Sequence, residues 1–202
     1  MRLNELEVKI QLKSSEHFKQ IFEDCRRLYG EPTSHLFQRD EYYDTDDAQL
    51  KKHDLVVRIR SIGDNHTIAL KSPRLLTSNG LSHRIELEFL AAEGKQVYEQ
   101  LNRQGLNISY AGEKERWTFV YGDIEIVLDK LPFLGSFIEV EGPDEAAIQQ
   151  VIKKLKLSID LAIRKNYGEL MEEKFQELGL NASEIQATFS AEERYRAMLA
   201  KA

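Results

Sequence analysis

Paired charges at alternate positions carry the chemistry this sequence offers. Glu5-Leu6-Glu7-Val8-Lys9 sets two carboxylates and an ammonium group two residues apart. Arg58-Ile59-Arg60, Arg84-Ile85-Glu86-Leu87-Glu88, Lys114-Glu115-Arg116 and Glu139-Val140-Glu141 repeat that spacing later in the chain. Residues i and i+2 of a β-strand share one face, so each run presents a charged row opposite an apolar or mixed one. Arginine and lysine in such rows can hold phosphate oxygens, arginine through a two-pronged contact. Carboxylates supply the hard oxygen ligands that Mg²⁺ and Mn²⁺ take, cations that also bind substrate phosphates. Glu5, Glu7 and Lys9 are therefore candidates for holding a divalent cation and touching the anion bound to it.

The rows need strands and helices to position them. Residues 3–12 read as the first strand. Ser14 and Ser15 then offer a helix cap, and Phe18, Ile21, Phe22, Cys25 and Leu28 follow at helical spacing until Gly30 and Pro32. Strands follow at 34–44, 55–60, 67–71 and 83–90, with a polar turn or short helix at 46–53. A loop spans 73–80, where Asn79-Gly80 reads as a tight turn. A helix is expected over 92–104. Strands resume from Gly112, over 124–129 and over 137–141, joined in part by Gly122-Asp123. Helices then start near Pro143 and around Tyr167, with a loosely docked terminal helix within 180–202. The pattern is α+β, dominated by an antiparallel sheet or barrel of about eight strands.

An antiparallel sheet with one wet face gives the same alternation. The set as a whole favours an interior, because the polar positions hold few Ser, Thr or Gln. If the sheet closes with its helices outside, the charged rows point inward together. Such an interior must be partnered or filled with water and ligand. A polyanion with metal ions would satisfy it.

The bulk properties narrow the class. The chain has 202 residues, 42% hydrophobic and 31% charged, with a net charge of −6. That fits a globular chain with a real core and argues against general nucleic-acid binding. A lone Cys25 excludes an intrachain disulfide and fits a reducing compartment. No apolar leader or membrane span is read, so the expected location is the cytoplasm. The five histidines lie scattered without ligand spacing, and there is no glycine-rich phosphate loop.

The residues also resemble a known family. Glu5-x-Glu7-x-Lys9 resembles the ExExK signature of the CYTH superfamily, the triphosphate tunnel metalloenzymes. The resemblance continues in order through Tyr43-Asp44-Thr45, Arg58-x-Arg60, Leu70-Lys71-Ser72-Pro73, Arg84-x-Glu86-x-Glu88, Lys114-x-Arg116, Asp129, Glu139-x-Glu141 and Lys165-Asn166-Tyr167. It implies an eight-stranded antiparallel β-barrel forming a triphosphate tunnel, with helices packed outside, over residues 1–178, and a helical extension at 179–202. It implies phosphate binding by Lys9, Arg58, Arg60, Lys71, Arg84, Lys114, Arg116 and Lys165. Divalent metal, Mg or Mn and two ions in all, would be held by Glu5, Glu7, Glu88, Asp129, Glu139 and Glu141. Leu134–Glu139 resembles the class IV adenylyl cyclase and thiamine triphosphatase branch. The implied activity is conversion of ATP to cyclic AMP and pyrophosphate. The alternatives are hydrolysis of inorganic triphosphate, thiamine triphosphate or a nucleoside triphosphate, or polyphosphate or nucleotide binding without turnover. The expected partner is ATP or another triphosphate, with no nucleic acid and no membrane. Oligomeric state is left open, a homodimer being one expectation.

Overall fold

The computed structural model describes residues 4–76, 81–91, 94–181 and 186–200. Its strands are β1 (Asn4–Leu12), β2 (Ser34–Asp44), β3 (Val56–Ile62), β4 (Asn65–Lys71), β5 (Leu75–Leu76), β6 (Ser82–Leu90), β7 (Asn107–Tyr121), β8 (Ile124–Leu131) and β9 (Gly135–Glu141). Its α-helices are α1 (Ser15–Tyr29), α2 (Gln49–Lys52), α3 (Gly94–Arg103), α4 (Glu145–Lys154), α5 (Tyr167–Glu177) and α6 (Phe189–Leu199). The strands pair antiparallel in the order β1-β9-β8-β7-β2-β3-β4-β6, and β6 pairs again with β1. That last pairing, Glu5 with Arg84 and Glu7 with Ser82, closes an eight-stranded barrel. The two-residue β5 adds to β6 beyond the end of β4.

Closure turns the alternation into an inside and an outside. On β1 the residues Val8, Ile10 and Leu12 are buried outward under helices, while Glu5, Glu7 and Lys9 face the interior. The helix α1 starts where the Ser14 side chain accepts from the His17 backbone N–H, and it ends at Gly30, whose φ is +91°. Its Phe18, Ile21 and Cys25 join Ile148, Val151 and Ile152 of α4 against Phe119, Ile126, Leu128 and Ile138 of the sheet. Phe18 meets Trp117 edge-on at 5.3 Å between ring centres. Each such aliphatic or aromatic side chain contributes about 1.5–3 kcal/mol of transfer free energy when buried. Where a strand has such an apolar outer face, as β1 does, that face fixes which side turns inward.

One end of the barrel is covered by α5. Asn166 caps that helix in a reciprocal pair with Glu169, which brings Tyr167 onto Phe137 at 5.2 Å. Met171 and Phe175 of α5 pack with Ala187. Ala187 also bridges β7, donating to the Ala111 carbonyl and accepting from the Glu113 amide. The helix α6 that follows buries no residue of its own. The expected 92–104 helix is found at Gly94–Arg103, and the Asn79-Gly80 turn lies outside the described residues. No described helix is long and apolar enough to cross a membrane.

A charged tunnel as candidate active site

The interior is a ring of opposite charges. Starting on β4, the Lys71 ammonium lies 2.9 Å from Glu5 and 3.0 Å from Glu86. Lys9 lies 3.3 Å from Glu139, which also accepts from Arg116 at 2.7 Å. Arg116 forks onto Asp129, and Lys114 stands 3.9 Å from that carboxylate and 3.3 Å from Asp40. Asp40 takes both prongs of Arg60, at 2.7 and 2.9 Å. Arg58 completes the ring at 3.4 Å from Glu86 and 3.3 Å from Glu88. Six cations thus sit inside one barrel, each facing at least one carboxylate.

The protonation pattern follows from the crowding. Burial, Glu139 and Glu5 raise the Glu7 carboxyl to about 7. Burial, Arg116 and Arg60 lower Lys114 to about 7, against the pull of Asp40 and Asp129. Burial opposes the charge of Asp40 as well, but Arg60, Lys114 and Arg58 outweigh it and hold its pKa well below the usual carboxylate range. Glu139 is likewise lowered, burial being overcome by Lys9, Arg116 and Lys114. A barrel interior that shifts one carboxyl and one lysine toward neutrality is arranged for proton transfer or for binding a further charge.

Each end of the barrel opens onto a cavity. Glu5, Glu86, Glu88, Glu125 and Glu141 line one of about 560 Å³. At the α5 end a cavity of about 690 Å³ is lined by Tyr42, Asn107, Ser109, Tyr110, Met171 and Phe175 among others. Buried polar atoms without hydrogen-bond partners include Arg58 Nε and Gln38 Oε1. Natural interiors leave few such atoms, and a bound molecule or water answers them.

The expected residues do not all fall in the same place. Lys9, Arg58, Arg60, Lys71, Lys114 and Arg116 gather in the ring. Arg84 is buried at its rim, where Nε donates to the Ser72 carbonyl at 2.9 Å and Nη2 to the Asp54 carbonyl at 3.0 Å. Lys165 stands apart from the phosphate-binding role expected of it. Its half-exposed ammonium pairs with Glu173, and only its carbonyl turns inward, accepting from Lys9 at 3.3 Å. Asp129 stands apart from the metal-binding role. It is fully buried and taken up by Arg116 and by the Tyr167 hydroxyl, which donates at 3.0 Å. Asp40 and Tyr167 enter the site without a role having been read for them, and so does Arg74, which clamps Asp54 and Glu169 at the α5 end.

The donor chemistry fits a hard divalent cation. Among the described residues no group of three or more acidic, histidine or cysteine side chains is already gathered to hold a metal ion. Glu5, Glu7 and Glu139 are nevertheless close enough for their mutual repulsion to raise Glu7, a strain that a cation between carboxylates relieves.

A CYTH domain family model matches residues 3–178. A Methanocaldococcus jannaschii protein, "Putative adenylate cyclase MJ0240", is 27% identical over 175 residues, covering 82% of this chain and 98% of its own length. The structure of the PH1819 protein of Pyrococcus horikoshii OT3 is 27% identical with a TM-score of 0.65, covering 84% of this chain and 99% of that one. HpAC1 of Hippeastrum, described as having a dominant triphosphatase activity, is 15% identical with a TM-score of 0.60, covering 88% and 97%. At that identity the likeness is one of fold.

Proposed function

The chain belongs to the CYTH domain family, and from that premise we propose that it is a metal-dependent enzyme acting on a nucleoside triphosphate, converting ATP to cyclic AMP and pyrophosphate. The observation that carries this reading is the inward ring of Lys9, Arg58, Arg60, Lys71, Lys114 and Arg116 beside the large α5-end cavity. The ring suits a chain of phosphates, whose oxygens can replace carboxylates as partners of cations already in place. The cavity suits a base and a sugar, with the Tyr42 and Phe175 rings beside the polar Asn107 and Ser109. Resemblance to the archaeal protein named for adenylate cyclase supports the same choice.

In cyclisation the ribose 3′-oxygen attacks the α-phosphorus. The bond from that phosphorus to the bridging oxygen breaks, and pyrophosphate leaves with the bond's electron pair. The 3′-hydroxyl proton needs an acceptor, and Glu7, with its carboxyl near neutrality, is the group assigned to take it. Lys9, Arg116 and Lys114 neutralise charge on the departing phosphates, and the closed barrel excludes bulk water around them. Held by Glu5, Glu139 and Glu141, Mg²⁺ or Mn²⁺ would supply further neutralisation of phosphate charge, leaving Glu7 to take the proton.

Hydrolysis is the second reading, on a nucleoside triphosphate, thiamine triphosphate or inorganic triphosphate. The observation favouring it is again Glu7, since a carboxyl of pKa about 7 can take a proton from water as readily as from a sugar hydroxyl. The deciding experiment gives the pure protein ATP in one tube and inorganic triphosphate in another, each with Mg²⁺ and with Mn²⁺, and resolves the products. Cyclic AMP with pyrophosphate supports cyclisation. Orthophosphate without cyclic AMP replaces it by hydrolysis, and no product from either substrate sinks both.

A further inference from the structure

Tyr110 occupies a seat that Gly112 leaves open for it. On β7 it points inward beside Gly112, and a Cβ built on Gly112 would overlap the Tyr110 hydroxyl. A Cβ on Gly168, in the first turn of α5, would lie 3.5 Å from the Tyr110 ring. Neither glycine has a positive φ, so backbone conformation does not require glycine at either place. Gly112 is the one that provides room for the phenol ring; a Cβ on Gly168 would touch that ring at ordinary contact distance and lie closer, at 3.2 Å, to the Asn166 Oδ1. A second feature aims that ring. The β2–β7 register shifts between Tyr42, paired with Tyr110, and Tyr43, paired with Ile108. The bulge leaves Ser109 as the extra residue, with its hydroxyl on the Tyr42 carbonyl at 3.1 Å. Tyr110 thereby faces Tyr42 across the α5-end opening, ring centres 5.5 Å apart.

Both tyrosines line the large cavity, and both also neighbour the charged ring. Burial raises the Tyr110 pKa first, and Tyr42 and Asp40 raise it further, so its hydroxyl stays protonated beside the Asp40 carboxylate. Tyr110 therefore stands at the junction between the basic interior and the cavity at its end.

We propose that Tyr110 determines substrate choice: a triphosphate carrying a planar organic group must lay that group against its ring, whereas inorganic triphosphate ends before reaching it. This inference rests on the reading of the basic ring as a triphosphate site. A base stacked on an aromatic side chain loses roughly 5- to 150-fold in affinity when the ring is truncated to alanine. Gly112 and the bulge belong to the device, since they hold the ring at the junction.

The test is equilibrium binding, which needs no turnover. Dissociation constants for ATP and for inorganic triphosphate are measured on the full chain, on Tyr110→Ala, on Tyr110→Phe and on Gly112→Ala, with circular dichroism confirming that each variant is folded. In Tyr110→Ala the affinity for ATP is expected to fall by on the order of 10-fold or more while that for inorganic triphosphate holds. Gly112→Ala, which keeps the tyrosine but pushes its hydroxyl off its seat, is expected to lower the ATP preference in the same direction. Tyr110→Phe retains the ring and is expected to retain the preference. Equal losses for both ligands, or no loss for ATP in Tyr110→Ala, would overturn the proposal while leaving the triphosphate site standing. Failure of the unaltered chain to bind either ligand removes the site itself and the proposal with it.

Discussion

The two walls of the tunnel hold their cations differently. On β2, β7 and β8 the acids are the short Asp40 and Asp129, both buried, each forked by an arginine and each approached by Lys114. On β1 and β6 the acids are the longer Glu5, Glu7, Glu86 and Glu88, and Arg58 reaches Glu86 and Glu88 through one nitrogen at 3.3–3.4 Å. An aspartate locked by two cations has nowhere to go, and removing it strands buried positive charge. A glutamate on a longer stem beside an acidic cavity can swing aside for a phosphate oxygen or turn to a metal ion. The lesson is that one wall fixes where the cations stand and the other yields its partners to a ligand.

The strongest way to break this comparison is to remove an acid from the fixed wall. Asp129→Ala leaves Arg116, Lys114 and the Tyr167 hydroxyl without their shared partner, and is expected to destabilise the fold by about 3–5 kcal/mol in urea denaturation. A loss no larger than that of a surface charge would erase the distinction between the walls. Next comes Glu7→Gln, which removes the proposed proton acceptor and is expected to lower turnover by roughly 100-fold or more, read from initial rates with Mg²⁺.

Two pH effects sharpen the comparison. In the metal-free protein Glu7 is raised from 4.5 to about 7, so the folded state holds the extra proton. The stability this group contributes is complete below pH 4.5 and is lost as pH rises through 7. Glu7→Gln is expected to flatten that slope in melts taken between those values. Lys114 has the opposite sign: lowered from 10.5 to about 7, it contributes stability that is present above 10.5 and lost as pH falls through 7. A triphosphate beside it would favour its charged form, so binding near pH 8 is expected to take up a proton. Calorimetry in buffers of different ionisation enthalpy measures that uptake, and Lys114→Arg is expected to abolish it. The smallest effect belongs to the yielding wall. Glu88, whose side chain is 47% exposed, should cost under about 1 kcal/mol when replaced by glutamine.

Much of this lining is legible in the sequence where one face of a strand is apolar. On β1 and β9 the outward positions are mostly Leu, Val or Ile, so the charged positions between them must face the other way. The strand β2 defeats that logic because both of its faces are polar. Gln38, Asp40 and Tyr42 turn inward while Arg39, Glu41 and Tyr43 turn outward, and Arg39 reaches Gln186 in the C-terminal segment. Asp40 is thereby hidden among equals. Tyr167 is hidden for another reason: its ring packs as a core residue on Phe137 while its hydroxyl enters the site. Closure of β1 on β6 joins residues nearly eighty positions apart, which no local pattern encodes. The two residues of β5 are too few to show a period, and Arg74 sits in a loop without one.

The central claim is that the inward cations form a site for a triphosphate, and its most direct test is the dissociation constant of inorganic triphosphate for the unaltered chain and for Arg60→Ala, measured below the variant's melting temperature. Arg60 would give a phosphate the same two-pronged contact it now gives Asp40, so its loss is expected to weaken binding at least about tenfold. Equal affinity in the two proteins, or no binding to the unaltered chain, would contradict the account.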